Sequence, residues 1–281
     1  MTITQNEKAA RFRALHTDPG TFVIPNPWDA GSARLLAALG FRALATSSGA
    51  AAAVLGRRDG QISRDEAMHH VSTITAATHL PVSADLESGF GADAATVAET
   101  IRRCAEAGAV GGSIEDATRG AEPSSAASIF DFALAVERVA AAVEAARALP
   151  FPFTLTARAE GFLHGRADLD DVIARLQAFE RAGADVLFAP GLPDLDAVRA
   201  VCRAVSRPVN FMIAIRGRSF SVDELAAAGV KRVSLATSLY RAAMTGLLAA
   251  AREIHDEGTC HYLEDTLPTP DLNRLMADGT G

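Results

Sequence analysis

One phrase constrains the fold more than anything else in the chain. A small-residue amphipathic stretch, a glycine and a short apolar run recur as AALGFRALATS, AEAGAVGGSIE, ERAGADVLFAP and AAAGVKRVSLA. A helix that stops on a left-handed glycine and turns straight into a buried strand is a β/α unit, and Gly40, Gly108, Gly183 and Gly229 stand where such a cap is easiest. The rest of the chain repeats the pattern with other connections. Strands are expected at 21–25, 42–47, 81–85, 110–115, 153–158, 185–189, 208–212 and 232–237, apolar on both faces. Helices are expected at 29–39, 64–77, 94–107, 132–148, 168–182, 195–205, 222–228 and 238–255. Ser63 with Glu66 and Ser221 with Glu224 spell capping boxes at two of the helix starts.

Eight units favour a closed (β/α)8 TIM barrel over an open doubly wound sheet, and 281 residues suit one such domain. An open dinucleotide-binding sheet would want G-x-G-x-x-G after the first strand, where NPWDAG stands instead. The expected barrel covers 1–255, and 256–281 form a polar, proline-marked C-terminal extension, either on the surface or packed on a neighbouring subunit. A net charge of −7 argues against a nucleic-acid partner. No run approaches the ~20 apolar residues of a membrane span, and the N-terminus lacks the apolar core of a secretory signal. Cys104, Cys202 and Cys260 match no metal or redox spacing. A soluble, cytoplasmic protein is expected.

Catalytic groups of such barrels come from the C-terminal strand ends and the loops after them. Those positions supply Asn26 and Asp29, then Thr46, Ser47, Ser48 and Gly49 with a loop ending in Asp59, and Asn210 on the seventh strand. Asp85, Glu87, Glu115, Asp116 and Glu160 crowd three neighbouring strand ends together with Arg158. Five acids in a partly dry pocket repel one another, and a hard divalent cation such as Mg²⁺ or Mn²⁺ relieves that repulsion. Pairing of the acids with Arg158 is the competing structural explanation. The SSGAAAA segment is placed to offer backbone N–H groups to an anion, or to pack closely against a helix. Arg158 has the fork geometry that grips a carboxylate. The only lysines, Lys8 and Lys231, lie away from this rim, which argues against a Schiff-base mechanism and for electrostatic stabilisation of a carbanion or enolate.

Taken together, these segments resemble the isocitrate lyase / phosphoenolpyruvate mutase superfamily over about residues 22–253. SSGAAAAVLGRRD resembles its Ser-Gly anion loop and gating segment, and PVSADLESGFG its metal strand with Glu87 in place of a second aspartate. GGSIEDAT and LTARAEGF resemble two further strand ends of the family. The resemblance implies Mg²⁺ held by Asp85, Glu87 and Glu115, largely through water. It implies a substrate carboxylate on Ser47, Ser48 and Gly49, a 2-oxo acid on Arg158, and a homo-oligomer, dimer or tetramer, that trades its last helix between subunits. The implied activity is lysis or decarboxylation of a small 2-oxo or 2-hydroxy dicarboxylate, with Asp59 or Glu160 as base. The family's lyases carry a cysteine-containing gating loop where this chain has ATRGAEPSSAAS, and its phosphonate branch carries a lysine where Arg119 stands. Arg119 keeps the charge but transfers no proton. Carbon–phosphorus chemistry and a degenerate carboxylate-binding protein are therefore the alternatives, and 117–128 is expected to act as a lid.

Overall fold

The computed structural model describes residues 3–118 and 129–277. Eight short parallel strands run in the order β1-β8-β7-β6-β5-β4-β3-β2. They are β1 (Phe22–Ile24), β2 (Leu44–Ala45), β3 (Val82–Asp85), β4 (Gly111–Glu115), β5 (Thr154–Arg158), β6 (Val186–Phe188), β7 (Val209–Met212) and β8 (Arg232–Ser234). Side-chain and backbone bonds close the seam between β1 and β2. The Ala45 N–H donates to the Pro25 carbonyl, while Asn26 donates to the Thr46 carbonyl and accepts from the Leu235 N–H. Asn26, read from sequence as a rim residue, is thus a stitch across β1, β2 and β8. The (β/α)8 barrel expected from the repeated phrase is the fold.

All eight expected strands and helices are present, shortened by a residue or a few at their ends. The four glycines that end the repeated phrase have φ between 85° and 104°. Around the barrel lie α1 (Gln5–Thr17), α2 (Ala30–Ala38), α3 (Ser48–Val54), α4 (Arg64–Ala77), α5 (Ala94–Glu106), α6 (Phe132–Arg147), α7 (Leu169–Arg181), α8 (Leu195–Ala204), α9 (Val222–Ala227), α10 (Ser238–Arg252) and α11 (Thr269–Met276). Three of these helices were not expected. α1 carries a capping box, Thr4 with Glu7, and plugs the N-terminal end of the barrel with Phe12 and His16, both edge-on partners in a ring stack that ends on Phe22. α3 turns the supposed anion loop into a helix. α11 brings the C-terminal extension back onto α2, where Arg34 donates to the Met276 carbonyl at 2.7 Å.

The strands are not apolar on both faces, contrary to expectation. Their outward residues, such as Leu155, Ala157, Leu187, Phe211 and Val233, pack under the helices in the main hydrophobic clusters. Much of the inward set is small and polar: Ser83, Ser113, Thr154, Thr156, Asn210, Arg232 and Ser234. Period-two alternation therefore sorts apolar residues to the helix layer and hydroxyls to the barrel axis.

The loop after β3 is held in an unusual shape. Glu87 and Phe90 have φ of 50° and 63°, a region that strains residues with a Cβ by about 1–3 kcal/mol each. What holds them is Arg138 of α6, which is buried. Its guanidinium donates to the carbonyls of Gly91 (2.6 Å), Ala92 (2.5 Å) and Ser88, and it lies 4.1 Å from the centre of the Phe130 ring. Replacing Arg138 by Met removes these charge-assisted bonds, each worth about 1.5–3 kcal/mol. Chemical denaturation of Arg138→Met should show a loss of about 4–5 kcal/mol, with faster amide exchange concentrated at 87–92.

Candidate active site

The C-terminal rim is organised around one guanidinium. Arg158, at the end of β5, donates through Nε to Glu160 Oε1 at 2.8 Å and through Nη1 to Asp85 Oδ1 at 2.9 Å. The same Nη1 lies 3.2 Å from Glu115 Oε2. Phe188 of β6 backs the group, with its ring centre 5.2 Å from the guanidinium carbon. Nη2 has no protein partner among the described residues. Burial alone would lower the Arg158 pKa, but Glu160, Glu115 and Asp85 together outweigh it and keep the cation fixed.

The acids pay the opposite electrostatic cost. Burial raises the Glu115 pKa well above the carboxylate range, Arg158 lowers it, and Glu160, Asp85 and Glu87 raise it again. Asp59, brought in by the loop after α3, is raised by burial and by Asp85, against a hydrogen bond from the Ser48 side chain. Asp116 does not belong to this cluster. It turns toward α7, accepts the Glu160 N–H at 2.8 Å and pairs with the buried Arg175 at 3.2 Å. The rim set is therefore Asp59, Asp85, Glu87, Glu115 and Glu160 around Arg158, with Asp59 in the place that Asp116 was expected to fill.

The start of α3 binds an anion already present in the chain. Ser47 caps the helix, accepting from Ala50 N at 3.5 Å, and the Ser48 N–H donates to Asp85 Oδ2 at 3.0 Å. Gly49 is needed for close approach, since a Cβ there would lie 2.9 Å from Thr237 Cγ2 and 3.1 Å from Asp59 Oδ2. The N–H of Ser48, expected to face a substrate carboxylate, thus faces the Asp85 carboxylate. Small residues are required here both for anion contact and for packing, so the two explanations of SSGAAAA coincide.

Among the described residues, no three His, Cys, Asp or Glu side chains form a direct metal cage. The donor chemistry nevertheless fits a hard cation. Four carboxylates surround one guanidinium with Glu87 beside Glu115, all donors are oxygen, and Mg²⁺ keeps several waters and needs only one or two carboxylates directly. Pairing with Arg158, the competing explanation, is equally real: Asp85 and Glu115 both touch it.

Below the rim the site opens into a cavity of about 70 Å³ lined by Thr46, Ser83, Asp85, Ser113, Arg158, Asn210, Arg232 and Ser234. Asn210 is buried, accepting from Arg232 Nε at 2.8 Å and donating to Ser234 Oγ at 3.0 Å. The expected site residues Asp59, Ser47, Ser48, Gly49, Asp85, Glu87, Glu115, Arg158 and Glu160 converge at the rim, and Asn210 lies deeper. Arg119 and most of the expected lid, 119–128, lie outside the described residues, although Ala117 and Ile129 pair across the base of that segment. Arg138 and Arg232 were missed. The available signal for Arg232 was a charged residue at an inward position of a barrel strand.

Removing Arg158 leaves the acids unneutralised, so Arg158→Met should destabilise the protein by about 3–5 kcal/mol at pH 8. Without Arg158 the folded-state pKa values of these acids rise further, so the folded form binds more protons than the unfolded form above about pH 4.5. Stability of the variant then falls as pH rises. Denaturation in EDTA at pH 5.5 and 8 should show a smaller deficit at the lower pH.

Comparison with known proteins agrees with the architecture and the motifs. The phosphoenolpyruvate phosphomutase family model matches residues 12–255. A 2-methylisocitrate lyase of Escherichia coli K12 is 33% identical over 266 residues, covering 92% of this chain and 88% of the relative. A crystal structure of a candidate lyase/mutase from Burkholderia cenocepacia J2315 is 56% identical with a TM-score of 0.93, over 98% of this chain and 97% of that one. A candidate phosphonomutase from the same organism is 39% identical with a TM-score of 0.81, over 89% and 99%. The family model covers most of the chain and the lyase relative is 33% identical over 92% of it, so the chain belongs to the isocitrate lyase / phosphoenolpyruvate mutase superfamily.

Proposed function

We propose that the protein is a divalent-metal-dependent carbon–carbon lyase or decarboxylase acting on a small 2-oxo or 2-hydroxy dicarboxylate. The observation that carries this reading is the Arg158 cluster: a fixed cation with one Nη2 left over, held by Asp85, Glu115 and Glu160 with Asp59 and Glu87 close by, at the mouth of a small hydroxyl-lined cavity. The likeness to 2-methylisocitrate lyase supports the same reading. Asp85, Glu87 and Glu115 would hold the metal, Mg²⁺ in the first instance or Mn²⁺, with water completing the shell. A bound Mg²⁺ would supply Lewis-acid charge where negative charge develops on a 2-oxo fragment.

The chain's own residues do the rest. Arg158 grips a carboxylate through Nη2 while Glu160, Asp85 and Glu115 fix its plane. Ser47, Ser48 and Gly49 shape the rim opposite. Asp59 is the better base of the two considered, because burial and Asp85 raise its proton affinity toward the working pH, whereas Glu160 is bound to Arg158 Nε. Asp59 would accept a proton at a carboxylate oxygen, and decarboxylation would need no base at all. Both lysines serve elsewhere: Lys8 donates to the Thr78 carbonyl, and Lys231 to those of Asp18 and Gly20. The likeness to a phosphonomutase keeps carbon–phosphorus cleavage as the second reading.

A panel of oxaloacetate and alkyl-substituted malates with Mg²⁺ should release pyruvate or another 2-oxo acid from at least one member, and EDTA should abolish the release. Phosphate release from phosphonopyruvate would move the second reading ahead, and silence on every compound would leave the carboxylate-binding alternative.

The same proposal includes a homo-oligomer in the cytoplasm. A reducing compartment fits three cysteines that stand as free thiols, and no helix among the described residues is long and apolar enough to cross a membrane. α10 starts on the barrel, with Tyr240 edge-on to Trp28, yet none of its side chains is buried, and Leu247 is 60% exposed. An apolar groove of about 450 Å³, lined by Trp28, Val54, Leu55, Ile62 and His70 among others, lies beside α3 and α4. Exchange of α10 between subunits would cover both surfaces. Light scattering should show an oligomer for the native chain and a monomer for Leu247→Glu/Leu248→Glu.

A further inference from the structure

Arg232 is a second guanidinium on the barrel axis, and it is electrostatically unlike Arg158. It is 5% exposed, and its partners are all neutral: Asn210 Oδ1 at 2.8 Å, Thr156 Oγ1 at 3.0 Å and His16 Nε2 at 3.5 Å. His16 cannot offer a compensating charge. Its Nδ1 lies 2.8 Å from the Phe12 carbonyl, so the proton sits there and Nε2 is the acceptor; burial and Arg232 push its pKa down to about 3. No carboxylate lies within ion-pair distance of Arg232 among the described residues. Burial, with the charge of Arg158 adding to it, pulls its pKa down to about 9.

A guanidinium carries five N–H donors, and the three contacts above leave two unspent, one on each Nη. A buried cation without a counter-charge is costly, and the usual remedies are a paired acid or a bound anion. Here the guanidinium lines the 70 Å³ cavity, which is roomier than the roughly 10–15 Å³ that one water needs. Its neighbours on that wall are neutral: the hydroxyls of Thr46, Ser83, Ser113 and Ser234 and the Asn210 amide, of which Asn210 and Ser234 are already bonded to each other. The one acid on the wall, Asp85, is engaged at the rim by Ser48 N–H and Arg158.

We propose that the floor of the barrel cavity, at Arg232, is a binding site for one small monoanion, a carboxylate group or a halide. The site lies on the far wall of the cavity that Asp85 and Arg158 line at the rim, and Arg232 itself belongs to neither the metal set nor the Arg158 cluster. Its anion is either the distal carboxylate of a bound substrate or a free inorganic ion resident under it; both present one negative charge to the same two N–H groups.

Crystals of the native chain grown in sodium bromide, with diffraction collected at the bromine edge, test this directly. An anomalous peak within hydrogen-bond distance of the Arg232 guanidinium is the expected result. In solution, bromide or formate should raise Tm saturably at millimolar concentration in the native chain. Arg232→Met should need at least tenfold more anion for the same shift, and Arg232→Lys should lie between. Adding Mg²⁺ and malate, which carries a distal carboxylate beyond its 2-hydroxy acid end, separates the two sources: bromide displaced means a substrate carboxylate uses the site, and bromide retained means a resident ion. Water alone in the cavity, or an unchanged bromide titration in a folded Arg232→Met, overturns the proposal. Should that variant fail to fold, the bromine map of the native chain decides alone.

Discussion

The position of the Arg158 guanidinium governs the rest of the active site. Three acids from three different strand ends touch it, so its plane is fixed and one Nη is left over. Without it those acids would repel one another across a nearly dry pocket. With it the rim still carries an excess of negative charge, which is the condition under which a hard cation is recruited. Asp85 shows how tightly the parts are coupled, since one of its oxygens meets Arg158 and the other meets the α3 N-terminus. Any change that frees Asp85 from one partner alters the other.

This arrangement depends on a barrel whose interior is polar. The usual filling of such barrels is branched and apolar; here the apolar residues face the helices while serines, threonines, Asn210 and Arg232 face the axis. A polar axis leaves space that an apolar one would fill, and it lets Arg232 donate into the barrel wall. The N-terminal end is sealed by Phe12 and His16 of α1, so the cavity opens toward the acids. One end of the barrel provides stability and the other chemistry.

The barrel was legible in the sequence because its punctuation is local. A glycine cap followed by an apolar run needs no knowledge of distant residues, and Gly40, Gly108, Gly183 and Gly229 each take the left-handed conformation that the pattern demands. The rim acids were legible because strand ends can be counted. Side-chain direction beyond a strand end was not: Glu115 and Asp116 are neighbours in sequence, yet one faces Arg158 and the other Arg175. Glycine-rich small-residue runs are ambiguous in the same way, and SSGAAAA became a helix because Ser47 could cap it. The helix α1 has few apolar residues and went unread, although Thr4 with Glu7 was an available capping-box signal. Arg138 and Arg232 act through contacts 40 residues or more distant along the chain, with Ser88 and with Thr156, and no local pattern reports such contacts.

The rim acids and Arg158 act as one site if a metal and a 2-oxo acid bind there together. Titration calorimetry of the native chain with oxalate, in Mg²⁺ and in EDTA, tests it most directly. Saturable oxalate binding in Mg²⁺ that disappears in EDTA and in a folded Asp85→Ala variant is expected. Oxalate binding indifferent to metal and to Asp85, or no binding under either condition, would contradict it.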